Sequence, residues 1–230
     1  MKHCYSYETG RKGRCSCLPG RCMMDLMEAI RNRRSIRKFK PDPVNENDLR
    51  EIIEAATLAP NAENNQMWHF VAVTNRVLIE KIGDIVSARV DAIVNACQTL
   101  GKGDDFAQHK YFLVFFREAP AFIAAFVKPF HNATDKALDN IGAELKTPLP
   151  ISPAQQSIGA AVQNISLVAH AKGYGTTCMF GPVLAYQEIA ELLGAPPSSV
   201  LAALLPIGIP AQSPKSRPRL PLEDVYKLIK

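Results

Sequence analysis

No apolar run in this chain approaches the roughly 18 residues that a membrane-spanning helix needs. The two richest, Ala119–Val127 and Val200–Leu205, have the length of buried strands. A soluble, cytoplasmic protein with no membrane partner is therefore expected. Paired thiolates are missing as well. Cys4, Cys15, Cys17 and Cys22 are spaced C-x10-C-x-C-x4-C, which lacks the C-x2-C pairs that bring two sulfurs onto one zinc or iron. Cys97 and Cys178 stand alone, so neither a metal site nor a secreted disulfide framework is expected. With five histidines, no Ser/His/Asp set or pair of carboxylates stands out, which argues against chemistry carried by a protein nucleophile. Internal repeats are absent too, which excludes a solenoid.

What remains is ordinary globular material: 230 residues, 47% hydrophobic and 21% charged, enough for one domain with a sizeable core. The formal charge is +5, but Lys2, Arg11, Lys12, Arg14 and Arg21 against Glu8 place +4 of it in residues 1–22. That segment reads as a disordered tail or an over-long start, with Met23 or Met24 as the alternative beginning; a redox or metal-binding tail is the lesser reading. The rest of the chain is nearly neutral, so its basic cluster is local. "RNRRSIRKFK" (31–40) carries six cations in ten residues and no acid.

Along the chain, "MDLMEAIRNRR" sets Leu26, Met27 and Ile30 on one helical face, with acids early and arginines late. "NENDLREIIEAATLA" is a second helix, capped by Asn45 or Asn47, with Pro60 beyond its end. "WHFVAVT" is a strand, residues 76–100 are helical and "PAFIAAFV" is a second strand. Residues 128–151, with Pro129, Gly142, Pro148 and Pro150, read as a surface excursion. An alanine-rich helix runs from Pro153 to Gly173. "GTTCMFG" is a third strand or extended stretch, "LAYQEIAELLG" a helix ended by Gly194, and "SVLAALLPIGIP" a fourth strand. Strands separated by helices imply a three-layer α/β or α+β domain.

Lys215, Arg217 and Arg219 in "PKSRPRLPLEDV" form a second basic motif about 180 residues from the first. Alternate spacing turns such side chains to one side. Brought together, the two motifs make a phosphate pocket, each charge-assisted bond contributing roughly 1.5–3 kcal/mol; left apart, they are solvated faces. "APNAENNQMWHF" packs Asn61, Asn64, Asn65 and Gln66 before a strand. Those amides suit a ring edge that alternates C=O and N–H, or else simply make a turn.

Taken in order, "RNRRSIRKF", "LAPNAENNQMWHF", "GAAVQNISLVAHAKGYGTT" and "PIGIPAQSPKSRPRLPLEDV" resemble the nitroreductase family of flavin-dependent oxidoreductases, from about Asp25 to the C-terminus. The resemblance implies a single FMN-binding domain over residues 23–230. Its fold would be α+β, three layers with a central, mostly antiparallel mixed sheet flanked by helices, in an obligate homodimer with FMN at the subunit interface. Arg33, Arg34, Ser35 and Arg37 match the first cofactor motif, Arg33 and Ser35 toward phosphate and ribityl chain, Arg37 toward the pyrimidine edge. Pro60, Asn61 and Asn64 match a loop lying against the flavin, expected from the other subunit. Thr177, Cys178, Met179, Phe180 and Gly181 match the stretch passing the N5 side. Arg217 and Arg219 match the C-terminal phosphate clamp, with Lys215 as an alternate.

The implied activity is hydride transfer from NAD(P)H to flavin N5 and then to a small-molecule acceptor, a nitroaromatic, quinone or similar compound, by ping-pong turnover. No catalytic side chain is then required, because the cofactor carries the chemistry. Departures from the family pattern are Met67 where many relatives have proline, Phe180 in place of acidic or small residues, and the apolar run Tyr111–Phe116. That run is either a greasy rim for flat acceptors or a core or dimer-contact helix. Trp68 and His69 read as packing residues, and Cys178 either tunes the flavin or is merely small and buried. Three rivals stand beside this reading: a same-fold flavin-cleaving, dehalogenating or dehydrogenating enzyme without nicotinamide use, a non-catalytic flavin-binding redox protein, and a nucleic-acid-binding module. The last lacks aromatic residues interleaved with the basic stretch.

Overall fold

Four strands form one sheet in the order β1–β2–β4–β3. They are β1 (Trp68–Val73), β2 (Ala121–Val127), β3 (Gly175–Thr176) and β4 (Val200–Gly208), and all three pairings are antiparallel. The computed structural model describes residues 24–101, 107–131, 133–141 and 152–230. The expectations placed on residues 1–22 and their cysteines lie outside these, as do Gly142, Pro148 and Pro150. The helices are α1 (Leu26–Asn32), α2 (Glu46–Thr57), α3 (Arg76–Thr99), α4 (Lys110–Val114), α5 (Ala133–Asn140), α6 (Pro153–Ala171), α7 (Tyr186–Leu192) and α8 (Leu222–Val225). By packing, the chain divides into two units, Met1–Asn32 and Arg33–Lys230.

Strand periodicity explains the layers. Along β2, Ala121, Ile123 and Ala125 enter one apolar cluster, while Phe122, Ala124 and Phe126 enter another on the opposite face. The first cluster is closed by Leu49, Ile52 and Ala56 of α2 and by Ile158, Ala161 and Ile165 of α6. The second is closed by Ile79, Ile82, Val86 and Val90 of α3, by Ile189 of α7, and by Phe115 and Phe116. A sheet buried on both faces between helices is the three-layer α+β architecture the sequence implies. Pairing jumps from Ala125–Ala203 to Phe126–Leu201, leaving Ala202 as an extra residue in β4. That bulge resets the alternation, so Ala203 and Leu201 still face opposite cores.

Local chemistry sets the helix ends. Asp25 accepts from the amides of Met27 and Glu28 and starts α1, of which Ala29 is buried while Leu26, Met27 and Ile30 are exposed. Asn45, not Asn47, caps α2, accepting from Asn47 and Asp48. Ser152 caps α6 with Pro153 in the first turn, and α6 ends before Gly173 at φ 88°. One clasp joins α2 to α6. Lys172 Nζ lies 2.7 Å from Asp48 and 2.5 Å from Glu51, and the Tyr174 hydroxyl donates to Asp48 at 2.8 Å. Burial acts to lower the Lys172 pKa, but the bonds to Asp48 and Glu51 outweigh it and hold the ammonium above its ordinary value.

The extended stretch "GTTCMFG" is shorter as a strand than its sequence suggests. Only Gly175 and Thr176 pair continuously, and Met179 then makes an isolated bridge to Leu204. Among the described residues no helix is long and apolar enough to cross a membrane. Beyond Pro214 every residue is exposed, and α8 buries none of its side chains.

Candidate functional site

The basic stretch is anchored by its backbone. Ile36 N donates to Thr176 O at 3.0 Å, and the Thr177 hydroxyl donates to Ile36 O at 2.8 Å. Further along, Lys40 N donates to Ile209 O at 2.8 Å and Ala211 N to Lys38 O at 3.0 Å. Ser35 makes a parallel bridge with Thr176, and Phe39 an antiparallel one with Pro210. Residues 35–40 thus run beside β3 and then beside the chain leaving β4. Two glycines permit the approach. A Cβ on Gly175 would lie 2.5 Å from Ile36 Cγ1, and one on Gly208 would lie 3.2 Å from Phe39 Cδ1.

This pairing brings the first basic motif to the chain that leads into the second. Arg33 is half-buried, and burial pushes its guanidinium below the ordinary value; the positive charges of Arg219 and Arg34 push it the same way. Among the described residues no carboxylate pairs with Arg33, Arg37, Arg217 or Arg219. A desolvated cation beside like charge, with no described acid to neutralise it, has the chemistry to hold an anion. The donor set suits a phosphate-bearing group. Arg34 turns back, its Nη1 donating to the Arg33 carbonyl at 2.9 Å. Arg217 and Lys215 lie exposed on the segment that carries Arg219.

Next to Ser35, the residues Thr177–Gly181 separate by role. Thr177 is buried and its hydroxyl is committed to Ile36. Met179 is 4% exposed in the core, with both backbone groups bonded to Leu204. Cys178 is a free, half-buried thiol whose pKa burial pushes up. Phe180 is 68% exposed. Cys178, Phe180 and Leu184 line a largely apolar cleft of about 740 Å³ together with Gly159 and Val162 of α6 and Phe130.

Pro60, Asn61 and Asn64 sit elsewhere. Their loop enters β1, whereas Arg33, Ser35 and Arg37 adjoin β3, and β1 and β3 are opposite edges of the sheet. Three strand spacings separate those edges, about 14 Å. One chain therefore does not bring the amide loop to the arginines. Within the loop, Glu63, Asn64 and Gln66 adopt positive φ of 55°, 48° and 51°. Asn61 Oδ1 accepts from Gln66 N at 2.8 Å, Ser157 Oγ from Ala62 N at 3.2 Å, and Glu63 Oε1 from Ala133 N at 2.8 Å.

The apolar run 111–116 divides between its two readings. Phe115 and Phe116 are core, while Tyr111 and Phe112 are 42% and 53% exposed. Sequence reasoning missed Glu118, whose Oε2 accepts from the Tyr111 hydroxyl at 3.5 Å. The pairing crosses from α4 into a 3-10 turn over Phe115–Glu118, so helical spacing gave no signal for it. Among the described residues no cluster of His, Cys, Asp and Glu could hold a metal.

Comparison with known proteins agrees with this architecture. The solved BluB-like flavoprotein from Clostridium difficile 630 superposes with a TM-score of 0.83 at 31% identity, covering 90% of this chain and all of that one. A 5,6-dimethylbenzimidazole synthase from Rhodospirillum rubrum is 30% identical over 78% of this chain and 79% of its own. A putative NADH dehydrogenase/NAD(P)H nitroreductase from Methanothermobacter thermautotrophicus is 28% identical over 84% of this chain and 82% of its own. The family model described as "Nitroreductase family" matches residues 30–209, which span the basic stretch, the amide loop and all four strands. The chain belongs to the nitroreductase family.

Proposed function

We propose that the protein is an FMN-dependent NAD(P)H oxidoreductase acting as a homodimer. The observation that carries this reading is the unneutralised Arg33–Arg219 pair beside the Ser35–Thr176 bridge. When bound, FMN supplies the two-electron chemistry, taking hydride at N5 from NAD(P)H and passing it to a nitroaromatic, quinone or similar acceptor in alternating half-reactions.

The chain's own residues bind, orient and tune. Arg33, Ser35 and Arg219 hold the phosphate end, with Arg217 and Lys215 adjoining. Arg34, bonded to the Arg33 carbonyl, stiffens the main chain that presents them. Arg37 places positive charge by the pyrimidine edge, where reduction adds negative charge, and so favours hydride acceptance. Thr177 locks the basic stretch in place; Cys178, Phe180 and Gly181 border the ring, and Met179 backs them from the core. Pro60, Asn61 and Asn64 come from a second copy, because the sheet order keeps a chain's own loop from its own arginines. A partner also explains the exposed apolar residues Leu220, Leu222, Val225, Tyr226, Leu228 and Ile229, each 57–82% accessible along the C-terminal arm.

Purified protein should be yellow and release FMN on denaturation, and anaerobic NADH or NADPH should bleach it. A second reading, a same-fold flavoenzyme that takes no nicotinamide, is favoured by the likeness to the BluB-like flavoprotein and the benzimidazole synthase. Flavin that stays oxidised with both nicotinamides would support that reading and exclude the first. Steady-state consumption of NAD(P)H with quinone present would argue against a flavin-binding redox protein without turnover.

A further inference from the structure

The proposed reaction needs a surface for its acceptor, and one part of the molecule has the chemistry for it without a structural use. Short helix α4 lies directly against Gly181: a Cβ there would stand 2.7 Å from Leu113 Cδ2 and 2.9 Å from Leu113 Cα. That contact sets Tyr111 and Phe112 next to the segment that carries Phe180, and all three rings are exposed. Tyr111 and Phe112 meet edge to face at 5.6 Å, and the Tyr111 ring lies 6.1 Å from that of Phe115, which is anchored in the core. Among the described residues the Tyr111 hydroxyl has one partner, Glu118, at 3.5 Å, the outer limit of a hydrogen bond. Such a bond is readily exchanged for a shorter one. Burial and the Glu118 carboxylate push the phenol above its ordinary value, against the opposing charge of Arg37; like any tyrosine it is a donor at neutral pH.

We propose that Tyr111 orients the electron acceptor: with Phe112 its ring offers a face to a planar aromatic molecule, and its hydroxyl leaves Glu118 to donate to a carbonyl or nitro oxygen on that molecule. This inference rests on the flavin site proposed above. Apolar rings alone hold such a molecule with little preference for its in-plane orientation. One donor at the rim fixes which edge faces the flavin and favours oxygen-bearing compounds over hydrocarbons of the same shape. A neutral hydrogen bond changes affinity by about five- to tenfold.

The test uses the full chain loaded with FMN and two non-reducible probes of matched shape, acetophenone and ethylbenzene. Dissociation constants are read from the perturbation of the flavin absorbance. Wild-type protein should bind the ketone about five- to tenfold more tightly than the hydrocarbon. Tyr111→Phe should abolish that preference and leave the hydrocarbon constant and the FMN content unchanged, whereas Tyr111→Leu should weaken both probes. A ketone preference that survives in Tyr111→Phe, or is absent from wild type, overturns the inference while the flavin site stands. Protein that cannot be loaded with FMN defeats the underlying reading and the inference together.

Discussion

The segment Arg33–Lys40 and the loop Pro60–Gln66 both carry candidate ligand residues, yet they are held by different means. The first is pinned by main-chain bonds to Thr176, Ile209 and Ala211, in extended backbone beside strands. The second holds Glu63, Asn64 and Gln66 in left-handed conformations, each costing of order 1 kcal/mol for a residue other than glycine. Beyond the turn bonds from Asn64 N to Asn61 O and from Asn65 N to Ala62 O, its shape is kept by the side chains of Asn61, Ser157 and Glu63. Backbone pairing sets charges at fixed spacing with little demand on the side chains of the segment itself, although its neighbours Gly175 and Thr177 must fit. Side-chain pinning sets a loop that individual substitutions can release. The arginine segment should therefore be sensitive at its charges and close contacts, and the loop at its hydrogen bonds.

The largest expected effect is on cofactor affinity. Arg33→Ala or Arg219→Ala should weaken FMN binding by roughly ten- to a hundredfold, about 1.5–3 kcal/mol, in a fluorescence titration of apo-protein. Asn64→Ala should cost much less, and an equal loss there would erase the contrast. Next comes Gly175→Ala, whose new Cβ meets the branched atoms of Ile36. It should cost about 1–3 kcal/mol in urea unfolding, and Ile36→Ala should not relieve it, because the Cβ that alanine keeps would itself lie 2.6 Å from the new one. Wild-type stability in Gly175→Ala would mean that the close approach is not what fixes the basic stretch.

A smaller effect tests the platform behind the loop. Lys172→Met should cost about 1–2 kcal/mol by opening the α2–α6 clasp. Folding raises the Lys172 pKa, so this contribution is complete below the ordinary lysine value near 10.5 and is lost as pH climbs through the raised value. Tyr174, raised by burial and by its bond to Asp48, acts in the same direction, because its neutral form is the one folding favours. Urea midpoints measured from pH 8 to 11 should fall more steeply for wild type than for Lys172→Met. The smallest effect contrasts the two backbones directly. Gln66→Gly should be neutral or stabilising by up to about 0.5 kcal/mol, whereas Lys38→Gly, in extended backbone, should cost about 0.5–1 kcal/mol.

Much of the fold is visible in the residue pattern because its causes are local. The continuous apolar run "AFIAAFV" announced a buried strand, Asn45 or Asn47 announced one helix start and Pro153 another. The basic stretch was visible as a local cluster of charge, open to either an anion site or a solvated face. The fate of Tyr111–Phe116 was not legible, since a run apolar throughout does not say which half turns inward. Nor was the bulge at Ala202 visible, because it is defined only against the partner strand. The left-handed residues of "NAENNQ" escaped notice as well: none is glycine, and their conformations are sustained by partners on α6 and α5, far along the chain.

By itself the sequence determined most of the helices and strands, where the cations lie and that residues 23–230 are nearly neutral, because periodicity, capping and charge act within a few residues. The tertiary structure alone decided that Arg33 comes beside Arg219 and that the amide loop sits at the opposite sheet edge. Strand order and register are long-range choices, fixed by which faces bury together rather than by any one segment.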